Sequence, residues 1–177
     1  MARLSVEEIQ SRIRMVPDFP KKGIMFMDLT TVFNDAEGFR GIIDILFDRY
    51  KEIKIDHVAG IEARGLILAS ALAYKLGCGM TMIRKPGKLP AETVSESYAL
   101  EYGTNEIHVH KDAFRPGDRV LLVDDLLATG GTMKAAVNLV EKLDAKVIGI
   151  AFVVELGFLH GAEKLKGYDC YSMITTK

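Results

Sequence analysis

The stretch Val120-Leu121-Leu122-Val123-Asp124-Asp125-Leu126-Leu127-Ala128-Thr129-Gly130-Gly131-Thr132 runs from an apolar strand into two adjacent carboxylates, then through a loop of small residues into a helix. Small residues let backbone N–H groups close around an anion, and the helix that follows adds the partial positive charge of its N-terminus. Ala128, Thr129, Gly130, Gly131 and Thr132 therefore read as a cradle for one phosphate. The loop lacks the lysine of GxxxxGK[ST], so a nucleoside-triphosphatase P-loop fits poorly. Asp124 and Asp125 end a sheet strand beside that cradle, in the crevice where open α/β sheets bind ligands. Carboxylates there suit vicinal sugar hydroxyls and, through them, Mg²⁺. An Asp-Asp pair by itself also suits a solvated strand end or a helix cap; the Ala-Thr-Gly-Gly-Thr that follows favours the ligand.

Outward from this stretch the chain alternates strand and helix. His57 to Ile61 reads as a strand, Gly65 to Leu76 as a buried helix ended by Gly77, and Met80 to Ile83 as the next strand. Arg119 to Val123 follows as a strand, Thr132 to Leu143 as a helix with Ala135, Ala136, Leu139 and Val140 inward, and Lys146 to Val154 as another buried strand. Such units imply an α/β fold with a mainly parallel twisted sheet flanked by helices. Near the start, Ser5-Val6-Glu7-Glu8 has the form of a capping box, and Val6, Ile9 and Ile13 keep helical spacing up to Pro17. A further helix is expected over 36–50, capped by Asn34 or Asp35, with Phe39, Ile42, Ile43 and Leu46 on one face. Between these helices Asp18 to Gly23 is turn-rich, and Ile24-Met25-Phe26-Met27-Asp28 is too apolar for solvent, so it is expected to cover something apolar. Lys85 to Glu106 carries Pro86, Gly87, Pro90 and Gly103 without a sustained period, which reads as a lid or functional loop. His108 and His110 share a face of an alternating segment and, with no third metal ligand nearby, read as exposed strand histidines. No repeat or linker divides residues 1–177, which read as one domain.

Composition removes whole classes of function. With 177 residues, 23 basic and 24 acidic side chains and a net charge of −1, the chain is sized for one domain with a real core. At 49% hydrophobic and 27% charged it is too apolar for a disordered chain and too charged for a membrane bundle. The balanced charge argues against a nucleic-acid partner, so an anionic ligand must be met by a local site. Cys78 and Cys170 share no CxxC-type spacing, which disfavours a zinc site or redox pair and suits a reducing cytosol. The N-terminus has no apolar signal-peptide core, and the longest apolar stretch, Leu66 to Leu76, is broken by Lys75. A cytoplasmic protein without a membrane partner is expected.

At this point the sequence resembles a known family. Val120 to Thr132 is similar to the phosphoribosyl pyrophosphate (PRPP) signature of the type I phosphoribosyltransferases. Other segments resemble the adenine phosphoribosyltransferase branch: Arg12-Ile13-Arg14, Pro17 to Ile24, Ala59-Gly60-Ile61-Glu62-Ala63-Arg64-Gly65, Arg84-Lys85-Pro86-Gly87-Lys88-Leu89-Pro90, and Tyr98 to Gly103. The likeness runs in order from about Ile9 to Leu165. It implies the type I phosphoribosyltransferase fold, with a small N-terminal hood over about 1–34 that covers the base and a flexible lid over about 85–106.

The resemblance also implies roles. Ala128 to Thr132 would hold the 5′-phosphate of PRPP, and Asp124 and Asp125 would face the ribose hydroxyls. Glu62, Ala63, Arg64 and Gly65 would bind pyrophosphate on a backbone often held in an unusual conformation, with Arg64 charging the leaving group. Arg84, Lys85 and Lys88 would be pyrophosphate ligands, some reaching across the interface of a homodimer. Mg²⁺ would be held mainly through PRPP oxygens and water, with Asp124 and Asp125 nearby. Glu101, with Tyr102, would serve as general acid/base from the lid, and Met25, Phe26, Met27 and Leu126 would bind adenine. Met27 departs from the family, which commonly has a basic or tyrosyl residue there; backbone recognition survives that change. The expected reaction is transfer of the phosphoribosyl group from PRPP to adenine, giving AMP and pyrophosphate. Two alternatives are another base as acceptor and a non-catalytic PRPP or nucleotide sensor on the same fold. The adenine-branch segments weigh against the first, and the lid acid and Arg64 against the second.

Overall fold

The structure, a computed structural model, describes residues 4–19, 22–23, 25–99 and 104–176, which fall into two compact units, Met1–Arg49 and Tyr50–Lys177.

In the first unit, helix α1 (Val6–Ser11) opens on the expected capping box, with Ser5 Oγ accepting from the Glu8 amide at 3.2 Å and the Glu8 carboxylate accepting from the Ser5 amide at 2.7 Å. The helix stops at Ser11 instead of continuing toward Pro17. Arg14–Pro17 forms strand β1, paired antiparallel with β2 (Met25–Asp28) in the register Val16↔Phe26. Backbone pairing across the turn-rich segment overrides the helical spacing of Ile13. Met27 is buried, but Met25 is half in solvent, so the apolar stretch is not wholly covered as expected. Phe26 packs edge-on to Phe19 with centroids 5.1 Å apart. A short helix α2 (Thr30–Asn34) leads to α3 (Ala36–Tyr50), whose first amides are accepted by Asp35 at 3.2 and 3.3 Å, the cap predicted for that position. Ile42, Ile43 and Leu46 of α3 are buried, as the spacing required.

The second unit is built on a five-stranded parallel sheet. Its strands are β3 (His57–Ile61), β4 (Gly79–Ile83), β7 (Arg119–Leu127), β8 (Lys146–Leu156) and β9 (Cys170–Thr176), in the spatial order β4-β3-β7-β8-β9. Helix α4 (Arg64–Leu76) links β3 to β4 and ends, as predicted, on Gly77 in the left-handed conformation with φ +71°. Helix α5 (Gly131–Lys142) links β7 to β8. Successive residues of a strand point to opposite faces. Ala59, Leu122 and Ile150 therefore cluster with Ala135, Ala136, Leu139 and Val140 of α5, while Gly60 faces α4, where any Cβ would overlap the carbonyl oxygen of Gly65. Each fully buried Leu or Ile on these faces contributes about 1.5–3 kcal/mol of transfer free energy.

The described residues of 85–106 carry regular structure that the sequence did not announce. Strands β5 (Thr93–Ala99) and β6 (Thr104–His110) form an antiparallel hairpin whose inner residues Val94, Tyr98, Ile107 and Val109 pack against the α5 side of the core. Pro and Gly outside the paired residues masked this alternation in the sequence. His108 and His110 are half-buried, not exposed, although they lie on the face of β6 opposite Ile107 and Val109: the His108 backbone also pairs with Arg84, and its Nδ1 meets Thr93 Oγ1 at 3.0 Å. Strand β9 had no sequence counterpart. Among the described residues no helix is long and apolar enough to cross a membrane.

Candidate functional site

From β3 the chain crosses to one side of the sheet, and from β7 to the other, so the gap between these strands is a topological switch point. Ligands of open α/β sheets bind outside the carboxyl ends of the strands at such points. The two loops singled out by sequence, 62–65 after β3 and 128–132 after β7, leave the sheet there.

The first loop is held by charge. The Glu62 carboxylate accepts from Arg84 Nε at 3.1 Å and Nη2 at 3.2 Å, and from the Lys85 amide at 3.0 Å. This bidentate pair, and then the Lys85 amide, hold the Glu62 carboxyl below the ordinary carboxylate range. The Glu62–Ala63 peptide is cis, an unusual conformation of the kind the resemblance implied. Arg64 then opens α4, and its Nε donates to Asp125, which is 5% exposed. Lys85 and Lys88 are exposed, and Lys85 lines a cavity of about 340 Å³ with Pro86, Ser97, Tyr98, Thr104, Asn105 and Glu106 of the hairpin.

The second loop begins later than the sequence suggested, because β7 continues through Asp124 to Leu127, paired with β8 in the register Asp124↔Phe152 and Leu127↔Glu155. The two carboxylates therefore lie inside a strand and point different ways. Asp125 turns to Arg64. Asp124 lines a cavity of about 90 Å³ with Leu126, Ala128, Thr129, Gly130, Thr132, Met133 and Phe152. Burial, and then the charge of Asp125, push the Asp124 carboxyl above the ordinary range. Gly65 decides how close the two loops come. A Cβ there would stand 2.7 Å from Asp124 Oδ1 and 2.9 Å from the Val123 carbonyl oxygen.

Gly130 adopts φ +76° at the N-terminus of α5, a conformation that suits glycine, and Lys134 N–H closes the first turn on its carbonyl at 3.0 Å. The amides that open a helix have no intrahelical acceptor, and Gly130, Thr132 and Met133 at the start of α5 line this cavity, a setting that suits an anion. A larger cavity of about 500 Å³ lies at the opposite, amino ends of the strands. Its lining includes Asp56, Asp112 and Asp118, which repel anions.

The structure thus brings Asp124, Leu126 and the 128–132 loop into one pocket and sets Glu62, Arg84 and Lys85 together beside β3. Met25, Phe26 and Met27 lie on β2 of the first unit, and Glu101 and Tyr102 fall outside the described residues. Phe152 and Met133, which line the pocket, and Gly161, which backs it, had no sequence signal, because each meets the loop only through the sheet topology.

Three comparisons agree with this geometry. The family described as "Phosphoribosyl transferase domain" matches residues 29–176. The adenine phosphoribosyltransferase of Halothermothrix orenii is 54% identical over 167 residues, covering 94% of this chain and 98% of that one. The crystal structure of adenine phosphoribosyltransferase from Thermoanaerobacter pseudethanolicus matches with a TM-score of 0.94 at 52% identity, over 97% of this chain and 100% of that chain. That of the Giardia lamblia enzyme complexed with 9-deazaadenine matches with a TM-score of 0.92 at 37% identity, over 98% and 99% of the two chains. With the 62–65 loop and the small-residue 128–132 loop meeting at the switch point of its sheet, the chain belongs to the phosphoribosyltransferase family, in its adenine phosphoribosyltransferase branch.

Proposed function

We infer that the chain transfers a 5-phosphoribosyl group from PRPP to adenine, giving AMP and pyrophosphate in purine salvage. The observation that carries this reading is the pairing of the 62–65 loop with the 124–132 loop across one crevice, joined to the relatives named for this activity.

The proposed roles follow from the chemistry of each group. The amides of 128–132 and the hydroxyls of Thr129 and Thr132 bind the 5′-phosphate, and Asp124, with Asp125 beside it, faces the ribose hydroxyls. As the bond from ribose C1 to pyrophosphate breaks, positive charge develops on the sugar and negative charge on the leaving group. Arg64, Lys85, Lys88 and Arg84 meet the leaving group, with Glu62 fixing the direction of the Arg84 guanidinium. The 85–106 segment acts as the lid: Glu101 within it exchanges the adenine ring proton, and Tyr102 shields the site. Met25, Phe26 and Met27 form the hood that reads the base through backbone groups and an apolar wall, and Leu126 contacts the base from the β7 side. The whole chain then works as one phosphoribosyltransferase domain.

The donor set fits Mg²⁺, a hard cation that takes oxygen ligands: Asp124 offers carboxylate oxygen at the cavity. Among the described residues no group of three or more His, Cys, Asp or Glu is placed to hold a metal alone; PRPP oxygens and water would complete the shell of a bound ion. Bound there, Mg²⁺ neutralises charge on the departing pyrophosphate.

Assay of AMP and pyrophosphate formation from PRPP and Mg²⁺, with adenine beside hypoxanthine, guanine, xanthine and orotate, tests the reading. Turnover with adenine alone is expected. Turnover with another base sinks the adenine assignment, and PRPP binding without turnover on any base sinks the enzyme.

A further inference from the structure

Behind the phosphate loop runs a second segment, Gly157–Leu159 and Gly161–Leu165, two short 3₁₀ turns that follow β8 and are joined at His160. A Cβ at Gly161 would overlap the carbonyl oxygen of Ala128 and stand 3.0 Å from the Gly130 nitrogen. A Cβ at Gly130 would in turn overlap the carbonyl oxygen of Gly161. The two glycines therefore meet backbone to backbone, with no side chain between them. The turn cannot drift away from this contact, because Leu165 at its far end is 1% exposed and belongs to the same core cluster as Met133 and Phe152.

The consequence follows from peptide geometry. The carbonyl oxygen of Ala128 and the N–H of Thr129 lie in one rigid plane and point in opposite directions. A segment that fixes the carbonyl on one side fixes the direction of the amide on the other, away from Gly161, in the loop whose residues Ala128, Thr129 and Gly130 line the cavity. We propose that Gly161 is a positioning residue for the phosphate loop: its lack of a side chain lets the 161–165 turn seat against Ala128 and Gly130 and so aim the loop's amides at a sugar phosphate. The inference rests on the phosphate-cradle reading above and adds the element that holds the cradle in shape. An added methyl at 161 meets backbone, which cannot swing aside as a flexible side chain does, so it must turn the Ala128–Thr129 plane.

Equilibrium binding of ribose 5-phosphate, with PRPP and adenine kinetics, tests this on the full chain. Gly161→Ala is expected to weaken ribose 5-phosphate binding and raise the PRPP KM by about tenfold or more, the scale of one or two charge-assisted hydrogen bonds misaimed. The adenine KM and kcat at saturating PRPP should stay within about twofold, a split that general loss of structure would not produce. Gly167→Ala serves as the control for backbone strain away from the loop, since Gly167 lies in the following turn at φ +99°, which strains any side chain, with nothing within 4 Å of an added Cβ, and it should leave ribose 5-phosphate binding unchanged. Equal binding by wild type and Gly161→Ala overturns the inference and spares the cradle; no binding by wild type overturns both. If Gly161→Ala does not fold, hydrogen exchange on the wild type decides. Ribose 5-phosphate should then slow exchange in 161–165 together with 129–132, and slowing confined to 129–132 overturns the inference.

Discussion

Gly65 stands where three requirements meet: it lies in the first turn of α4, follows the Glu62–Ala63 loop, and touches the strand that carries Asp124. Because a Cβ there would press on the Val123 carbonyl as well as on Asp124 Oδ1, Gly65→Ala must move backbone. We expect a loss of about 1–3 kcal/mol in denaturant unfolding, the usual cost of overpacking, and a larger proportional loss in kcat/KM for PRPP. An unchanged kcat/KM would show that the two loops need not approach so closely. Glu101 makes a contrasting case, since its place in the reaction rests on the resemblance. Glu101→Gln should lower kcat by about 10²–10⁴-fold with little change in PRPP affinity, the signature of a lost general acid/base. Turnover at the wild-type rate removes the assignment. Asp124 and Asp125 stood out in the sequence as a pair but not as two different groups. Their separation into a cavity carboxylate and a partner for Arg64 depends on how far β7 continues, which the pairing with β8 sets.

The β5–β6 hairpin shows the same dependence among elements. Glu96 accepts from Asn138 Nδ2 at 2.8 Å and pairs with Lys142, whose Nζ also donates to the Ser95 carbonyl at 3.1 Å, so the hairpin is fastened to the end of α5. Lys142, and then Asn138, hold the Glu96 carboxyl below its ordinary value of 4.5. A depressed carboxyl contributes stability that is present above the unfolded value and is lost as pH falls through the folded one. Thermal midpoints should therefore drop as pH is lowered from about 5 toward 3, and less steeply in Glu96→Gln than in the wild type. Parallel curves for the two proteins would show that this pair adds nothing to the acid side. No sustained period is visible over 85–106 because β5 is ordered by its partners, β6 and the end of α5. Helix α4, by contrast, was legible to its last residue, since Gly77 and the apolar spacing of Leu68, Leu72 and Ala73 act locally.

For the whole molecule, the exposed apolar side chains Ile67 and Tyr74 on α4 and Met82 on the edge strand β4 support the homodimer proposed from the resemblance, with Tyr74 90% exposed. Sedimentation equilibrium should give a dimer for the wild type, and Tyr74→Glu should raise its dissociation constant by about tenfold or more if this surface is the interface. A wild-type monomer at assay concentration removes the dimer, and an unaffected dimer in Tyr74→Glu moves the interface elsewhere. The sequence by itself determined the α/β class, the strand and helix that flank 124–132, the caps at Ser5 and Asp35, and the family, because propensity, capping and short motifs act between near neighbours in the chain. Tertiary structure alone decided that β9 completes the sheet, that 85–106 contains a hairpin, that the neighbouring aspartates part, and that Gly161 meets Gly130. Each of these depends on a partner segment, β8 for β9 and for the aspartates, β6 and α5 for β5, and the 161–165 turn for Gly130, where burial and hydrogen bonding outweigh the preferences a segment has by itself.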